Sequence, residues 1–178
     1  IDNRCQPLCG KLHTVSMTLS RNKIQALQFI SKTLTGQNIQ FQITGRCAAV
    51  FYGVESEPYD IDIDVYKRDI SCVEQLLGDR LVTPYHHFND GVFDMHLFTT
   101  IIEGESVDVS QIEDAYYVDA TGKRRALRSD IRNVQWFNLE GVDVPVQNRD
   151  ELITYKKLVA RDHDLKDVAV MEGVQKAA

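Results

Sequence analysis

At 178 residues the chain has room for one domain and a short extra element. With 43% hydrophobic and 26% charged residues it reads as an ordinary globular protein, neither disordered nor fibrous, and a chain of this size buries enough surface to fold without disulfides or a metal. The formal net charge of -6 argues against a dedicated DNA- or RNA-binding surface, which favours a basic patch; an acidic chain can still hold a nucleotide through Mg²⁺, which reverses the local sign of charge.

Residues 1–16 show no period and no apolar stretch of a signal peptide. Met17 is expected to lie near the natural start, with residues 1–16 a poorly ordered or foreign extension and 17–178 a single domain. Cys5 and Cys9 lack the spacing and partners of a zinc site. Cys47 and Cys72 sit in apolar stretches and are expected as reduced core residues. No apolar run has the length of a membrane span, so the default expectation is a cytoplasmic protein with no membrane partner.

Ser20 can cap a helix whose Ile24, Leu27, Ile30, Ser31 and Leu34 share one face, and Gly36 suits its end. Ile39-Gln40-Phe41-Gln42-Ile43 alternates as a strand does. Thr44-Gly45 breaks it, and residues 46–52 read as a short helix. After a loop, Ile61, Ile63 and Val65 alternate with acids and predict a second strand over residues 60–66. A helix over residues 70–77 ends at Gly78.

Strands are expected over residues 91–102 and 105–112 around Glu103-Gly104, and over residues 115–118. A hairpin follows, over residues 134–139 and 142–146, around Glu140-Gly141. Trp136 and Phe137 within it read as core. Asn148, with Glu151 three residues on, caps a final helix carrying Leu152, Ile153, Tyr155, Leu158 and Val159. Lys123-Arg124-Arg125 reads as a solvated turn, and His96 as a half-exposed partner of Asp94. The order of elements implies an α+β fold with a mixed sheet.

Asp60, Asp62 and Asp64 alternate along one strand, which puts three carboxylates on one face and Ile61, Ile63 and Val65 on the other. Same-face carboxylates repel one another unless a cation sits among them, and hard oxygen ligands suit Mg²⁺ or Mn²⁺. Aspartate is a poor strand former, so three in alternation ask for a reason. Val107-Asp108-Val109 adds a carboxylate in another strand and is the natural third ligand of a two-metal site. Thr44-Gly45-Arg46 joins a strand to a helix, where glycine lets backbone N–H groups approach a phosphate.

Taken together, Ile43-Thr44-Gly45, Gly53, Asp60-Ile61-Asp62-Ile63-Asp64 and Val107-Asp108-Val109 resemble the nucleotidyltransferase superfamily that includes DNA polymerase beta. The likeness is to its small bacterial branch: lincosamide and aminoglycoside nucleotidyltransferases and the antitoxin-linked minimal nucleotidyltransferases. It spans roughly residues 39–167. The resemblance implies a nucleotidyltransferase-like mixed sheet flanked by helices, with a C-terminal hairpin and helix. Asp60 and Asp62 would be the metal ligands, Asp108 the third acid, and Asp64 a supporting or substitute ligand. Thr44 and Gly45 would meet the triphosphate. Arg46 stands where the family has a second Gly or a Ser, and would either bind phosphate or block the site.

The segment from Glu151 to Asp167 resembles the closing helix of these enzymes; Lys157 and Arg161, four apart, would share a face and reach the triphosphate or the acceptor, or else form a solvated charged helix end with Arg161 paired to Asp164 or Glu172. The implied activity is Mg²⁺- or Mn²⁺-dependent transfer of a nucleoside monophosphate from an NTP to a hydroxyl acceptor. The alternative is an inactive protein of the same fold that binds a nucleotide or a partner protein in an antitoxin or regulatory role. So small a domain also allows a homodimer that closes the cleft.

Overall fold

The computed structural model describes residues 18–173; the extension expected over residues 1–16, with Cys5 and Cys9, lies outside them. Helix α1 (Arg21–Gly36) starts where the Ser20 side chain accepts a hydrogen bond from the Lys23 backbone N–H, and it buries Ile24, Leu27, Ile30 and Leu34. Strand β1 (Phe41–Thr44) runs into the short helix α2 (Gly45–Phe51), and β2 (Ile61–Val65) follows a loop. Helix α3 (Ile70–Leu76) precedes β3 (Leu81–Asn89), β4 (Phe93–Ile102) and β5 (Glu105–Gln111). Short strands β6 (Tyr116–Val118) and β7 (Arg124–Ala126) come next, then the hairpin β8 (Gln135–Leu139) and β9 (Val142–Val146), and helices α4 (Arg149–Val159) and α5 (Asp162–Met171).

All nine strands form one mixed sheet in the order β7-β6-β4-β5-β2-β1-β9-β8, with β3 also paired to β4. Strands β2 and β5 run parallel, as do β1 and β9, and the other pairs are antiparallel. Alternation gives the central strands two unlike faces. One face carries Ile43, Ile61, Ile63, Val65, Val107 and Val109, all buried, and pools with the apolar stripe of α1 in a single core. The buried Lys23 of α1 reaches Glu105 at the start of β5, 2.5 Å away, and fixes the helix along the sheet. The other face carries Gln42, Thr44, Asp62, Asp64, Asp108 and Ser110. Among the described residues no helix is long and apolar enough to cross a membrane.

Several expectations need correction. Cys47 is buried, but Cys72 is exposed, on the outer side of the short α3. Trp136 is 57% exposed on β8, an edge strand, where only one side of the hairpin meets the core; Phe137 packs against that core beside Phe51 and Tyr52. Asp94 pairs with His87 and Arg124, while His96 stacks on Tyr85 and meets the His87 ring at a tilt. Lys123 is exposed in the turn as expected, but Arg124 and Arg125 belong to strand β7 and pair with Asp94 and Asp119. Helix α4 is not the last: Ala160 adopts the left-handed conformation (φ 56°), its N–H bonds Lys156 O, and the chain turns into α5.

Candidate active site

Strand register assembles the acids. Thr44, Asp62, Asp108 and Thr99 are consecutive cross-strand partners on β1, β2, β5 and β4, forming one row across the sheet. Gln42, Asp64, Ser110 and Leu97 form the next row. Asp60 lies just before β2, and one carboxylate oxygen each from Asp60, Asp62 and Asp108 falls within 4.8 Å of the others. That span suits a hard divalent cation, or two of them about 4 Å apart. Asp64 lies outside the trio. Its carboxylate accepts hydrogen bonds from Gln42 Nε2 (2.8 Å) and Ser110 Oγ (2.9 Å), its neighbours in the row.

The electrostatics fit a cation. Burial, reinforced by the charges of Asp60, Asp108 and Asp64, pushes the Asp62 carboxyl up to about 8, with Lys156 opposing. Burial also raises Asp108, against a 2.7 Å hydrogen bond from the Thr99 hydroxyl, and raises Asp64, against the bonds from Gln42 and Ser110. Three all-oxygen donors that repel one another in this way match Mg²⁺ or Mn²⁺, since a hard cation removes the repulsion that the protein alone leaves in place.

A pH dependence follows. An acid whose folded pKa is raised binds more protons folded than unfolded, so its contribution to stability falls as pH rises. Without divalent ions, stability should drop between the ordinary carboxylate range and about pH 8, where Asp62 ionises. Mg²⁺ or Mn²⁺ should restore it, and by more at the alkaline end, because there metal need not displace a proton. Thermal unfolding across this range, in chelator and in metal, checks this. In Asp62→Asn the chelator curve should flatten; an unchanged slope would refute the assignment.

Gly45 sits where β1 turns into α2, with φ +63°. A Cβ there would fall 2.0 Å from Asp62 Oδ2, so only glycine both adopts this backbone and lets the chain lie against the acid. The turn is pinned by the Thr44 hydroxyl, which donates to Gln147 Oε1 (2.7 Å).

Above the acids stands a chain of alternating charge. Arg46 Nη2 reaches Asp167 (3.2 Å); Lys156 Nζ lies between Asp167 (2.9 Å) and Asp164 (2.8 Å); and Arg161 Nε bonds Asp164 (2.6 Å). Lys156, Asp164 and Asp167 are essentially inaccessible. Arg46 therefore pairs with α5 and not with the acidic strand, the contact a blocked site would require. Its Nε is buried with no hydrogen-bond partner among the described residues.

A cavity of about 330 Å³ joins these groups; Gly45, Asp60, Asp62 and Asp108 line it together with Arg46, Lys156 and Arg161. The tip of the β3–β4 hairpin contributes Phe88 and Phe93 to its rim, and Tyr59, 91% exposed, the opposite lip. Lys157 is absent from the lining: it is exposed on α4 and pairs with Glu172 (2.6 Å). Lys157 and Arg161 do not share a helical face, because α4 ends between them. Sequence reasoning missed Lys156 and the roles of Gln42, Thr99 and Ser110. The signal for Lys156 was present in Asp164 and Asp167, three apart on one helical face and in need of a buried cation.

No family model and no curated protein matches the chain. Solved structures do. A protein from Thermotoga maritima, provisionally described as a nucleotidyltransferase, superposes on 88% of this chain and 96% of its own, with a TM-score of 0.67 at 17% identity. An antigenic nucleotidyltransferase-like protein from Paracoccidioides brasiliensis matches over 88% and 78% (TM-score 0.54, 13% identity). ANT(2'')-Ia, solved in complex with adenylyl-2''-tobramycin, matches over 86% and 88% (TM-score 0.52, 10% identity). At such identities the likeness is one of fold, and the chain has the nucleotidyltransferase fold, with the α+β mixed sheet that its sequence implies.

Proposed function

We propose, from this fold and the acids it assembles, that the protein transfers a nucleoside monophosphate from an NTP to a hydroxyl group and releases pyrophosphate. The observation that carries the reading is the convergence of Asp60, Asp62 and Asp108 in a cavity that Arg46, Lys156 and Arg161 also line. Held by those three carboxylates, Mg²⁺ or Mn²⁺ would supply Lewis acidity at the α-phosphate and acidify the acceptor hydroxyl.

The remaining work falls to the chain's own groups. Asp108, oriented by the Thr99 hydroxyl, receives the acceptor proton. The acceptor oxygen bonds to the α-phosphorus while the bond from that phosphorus to the bridging oxygen breaks, and pyrophosphate leaves with the electron pair. Gly45, lacking a Cβ, lets the Asp62 carboxylate lie against the turn between β1 and α2. Arg46 and Arg161, partly exposed and anchored by buried aspartates, offset charge on the phosphates; Arg46 Nε offers an unused donor. Arg46 in its contact with Asp167 leaves the acids open, which favours the catalytic reading over an inactive nucleotide-binding protein.

Calorimetric titration with each NTP in Mg²⁺ tests the reading. At least one NTP should bind, and only with the metal present. Asp62→Asn should weaken that binding by about hundredfold or more, in line with removing one charge from a close, desolvated pair. Metal-independent binding, or wild-type affinity in Asp62→Asn, would remove the assignment.

A further inference from the structure

A second cavity, of about 690 Å³, opens on the same side of the sheet. Its floor is the β6–β7 edge and one wall is α4; Tyr117, Leu127, Tyr155 and Leu158 supply apolar surface. Leu127 and Tyr155 line this cavity and the acid cavity alike, so the two adjoin. Tyr117 pairs across the sheet with Phe93, which rims the acid cavity, and Arg125 pairs with Tyr117.

The order of strands fixes which side this is. Gly45 follows β1, on one side of Asp62; β5 with Asp108, then β4, β6 and β7, lie on the other. Thr44, Gly45 and Arg46 line the acid cavity on the β1 side, where Arg46 would meet a triphosphate. A transferase with two substrates needs a second space, and this one lies on the Asp108 side, where the hydroxyl must lose its proton.

The charges in the cavity are unequally committed. Arg124 is held by Asp94 and Arg125 by Asp119. Glu151 accepts hydrogen bonds from Asn133 and the Asp130 backbone, and Asp150 stands on the exposed rim beside Arg149. Arg128 alone of these has no ion pair or hydrogen bond among the described residues. Its guanidinium is a ready partner for a carboxylate or a phosphate.

We propose that this second cavity is the acceptor site and that it takes a small hydroxyl-bearing molecule with an apolar or aromatic body and one anionic group, held by Arg128. Tyr117 and Tyr155, ring centroids 5.5 Å apart and edge to face, offer the body an aromatic wall. The hydroxyl end points past Leu127 and Tyr155 toward Asp108. The size of the cavity is that of small-molecule sites. The inference rests on the transferase reading for its word acceptor, but not for the class of ligand.

The test titrates the isotopically labelled full chain by NMR, without nucleotide or metal, with three probes that share a phenol: 4-hydroxyphenylacetate (anionic), tyramine (cationic) and 4-ethylphenol (neutral). The anionic probe should bind at least about tenfold tighter than tyramine, the value of one charge-assisted hydrogen bond. Its shifts should map to residues 126–128 and 154–158. Arg128→Gln should erase the preference for the anion yet leave Mg²⁺–NTP binding unchanged. Equal or tighter binding of tyramine, shifts mapping elsewhere, no shifts with any probe, or a preference that survives Arg128→Gln would overturn the proposal. Anion-selective binding in a chain that binds no NTP would keep the ligand class and overturn the acceptor role.

Discussion

Replacing Gly45 by alanine should cost roughly 2–4 kcal/mol of stability and abolish metal-dependent NTP binding. Two costs combine. The backbone holds φ at +63°, where an L side chain is strained by about 1–2 kcal/mol. The new methyl would also meet Asp62 Oδ2 at 2.0 Å, and it can be relieved only by moving β2 or rotating the carboxylate. Either movement takes Asp62 from Asp60 and Asp108. Gly53→Ala is the control: φ is +98°, but nothing lies within 4 Å of the added Cβ. It should lose stability and keep its affinity for metal and nucleotide. Urea denaturation and calorimetry on both variants separate strain from collision. If Gly45→Ala binds Mg²⁺–NTP as the wild type does, Gly45 has no part in the site.

Lys156→Met should be as severe, by a different route. The substitution keeps the volume of the side chain and removes its charge from between Asp164 and Asp167. Burial works to raise Asp164, but hydrogen bonds from Arg161 and Lys156 hold its carboxyl below the usual range. Breaking a buried ion pair on one side typically costs about 3–5 kcal/mol, because a charge stays behind unpaired. The sign with pH is definite: a carboxylate depressed in the folded state gives stability above its unfolded pKa and loses it in acid. The penalty should therefore be full near neutrality and shrink below the ordinary carboxylate range, as Asp164 takes up a proton. Adding Asp164→Asn should recover part of the loss. A neutral single variant, or a penalty that grows in acid, would show that the ion pairs are not what holds α4 to α5.

How much of this could be read from the sequence varies with the range of the interaction. The acids of β2 were legible because a strand has a period of two, and period is local. Which of the three converge was not legible in the period; the family resemblance supplied Asp60 and Asp62 and set Asp64 aside. Asp64 is captured by Gln42 and Ser110, from strands 22 and 46 residues away, and Asp60 joins the trio from outside the strand. Asp108 was singled out by type and flanking residues, yet only the parallel register with β2 brings it beside Asp62. Strand β3 went unread because its pairing with β4 is bulged twice around Pro84, which destroys the alternation. Helix α5 went unread because the residue that ends α4 is an alanine in the left-handed conformation, and alanine is the best helix former. The expectation that Lys157 and Arg161 share a face failed on that residue.

The parallel pairing of β2 with β5 also has a kinetic side. The strands β3, β4 and β5 form an antiparallel meander of local contacts, whereas Asp64 and Ser110 meet across 46 residues of chain. Closing that interval carries an entropic cost that the local hairpins do not share. A chain with its meander formed and β2 undocked already has Asp108 bonded by Thr99, but has no cluster for a cation. A divalent cation that needs all three acids would bind only the completed sheet, and would then lengthen the life of the folded state while leaving the rate of folding almost untouched.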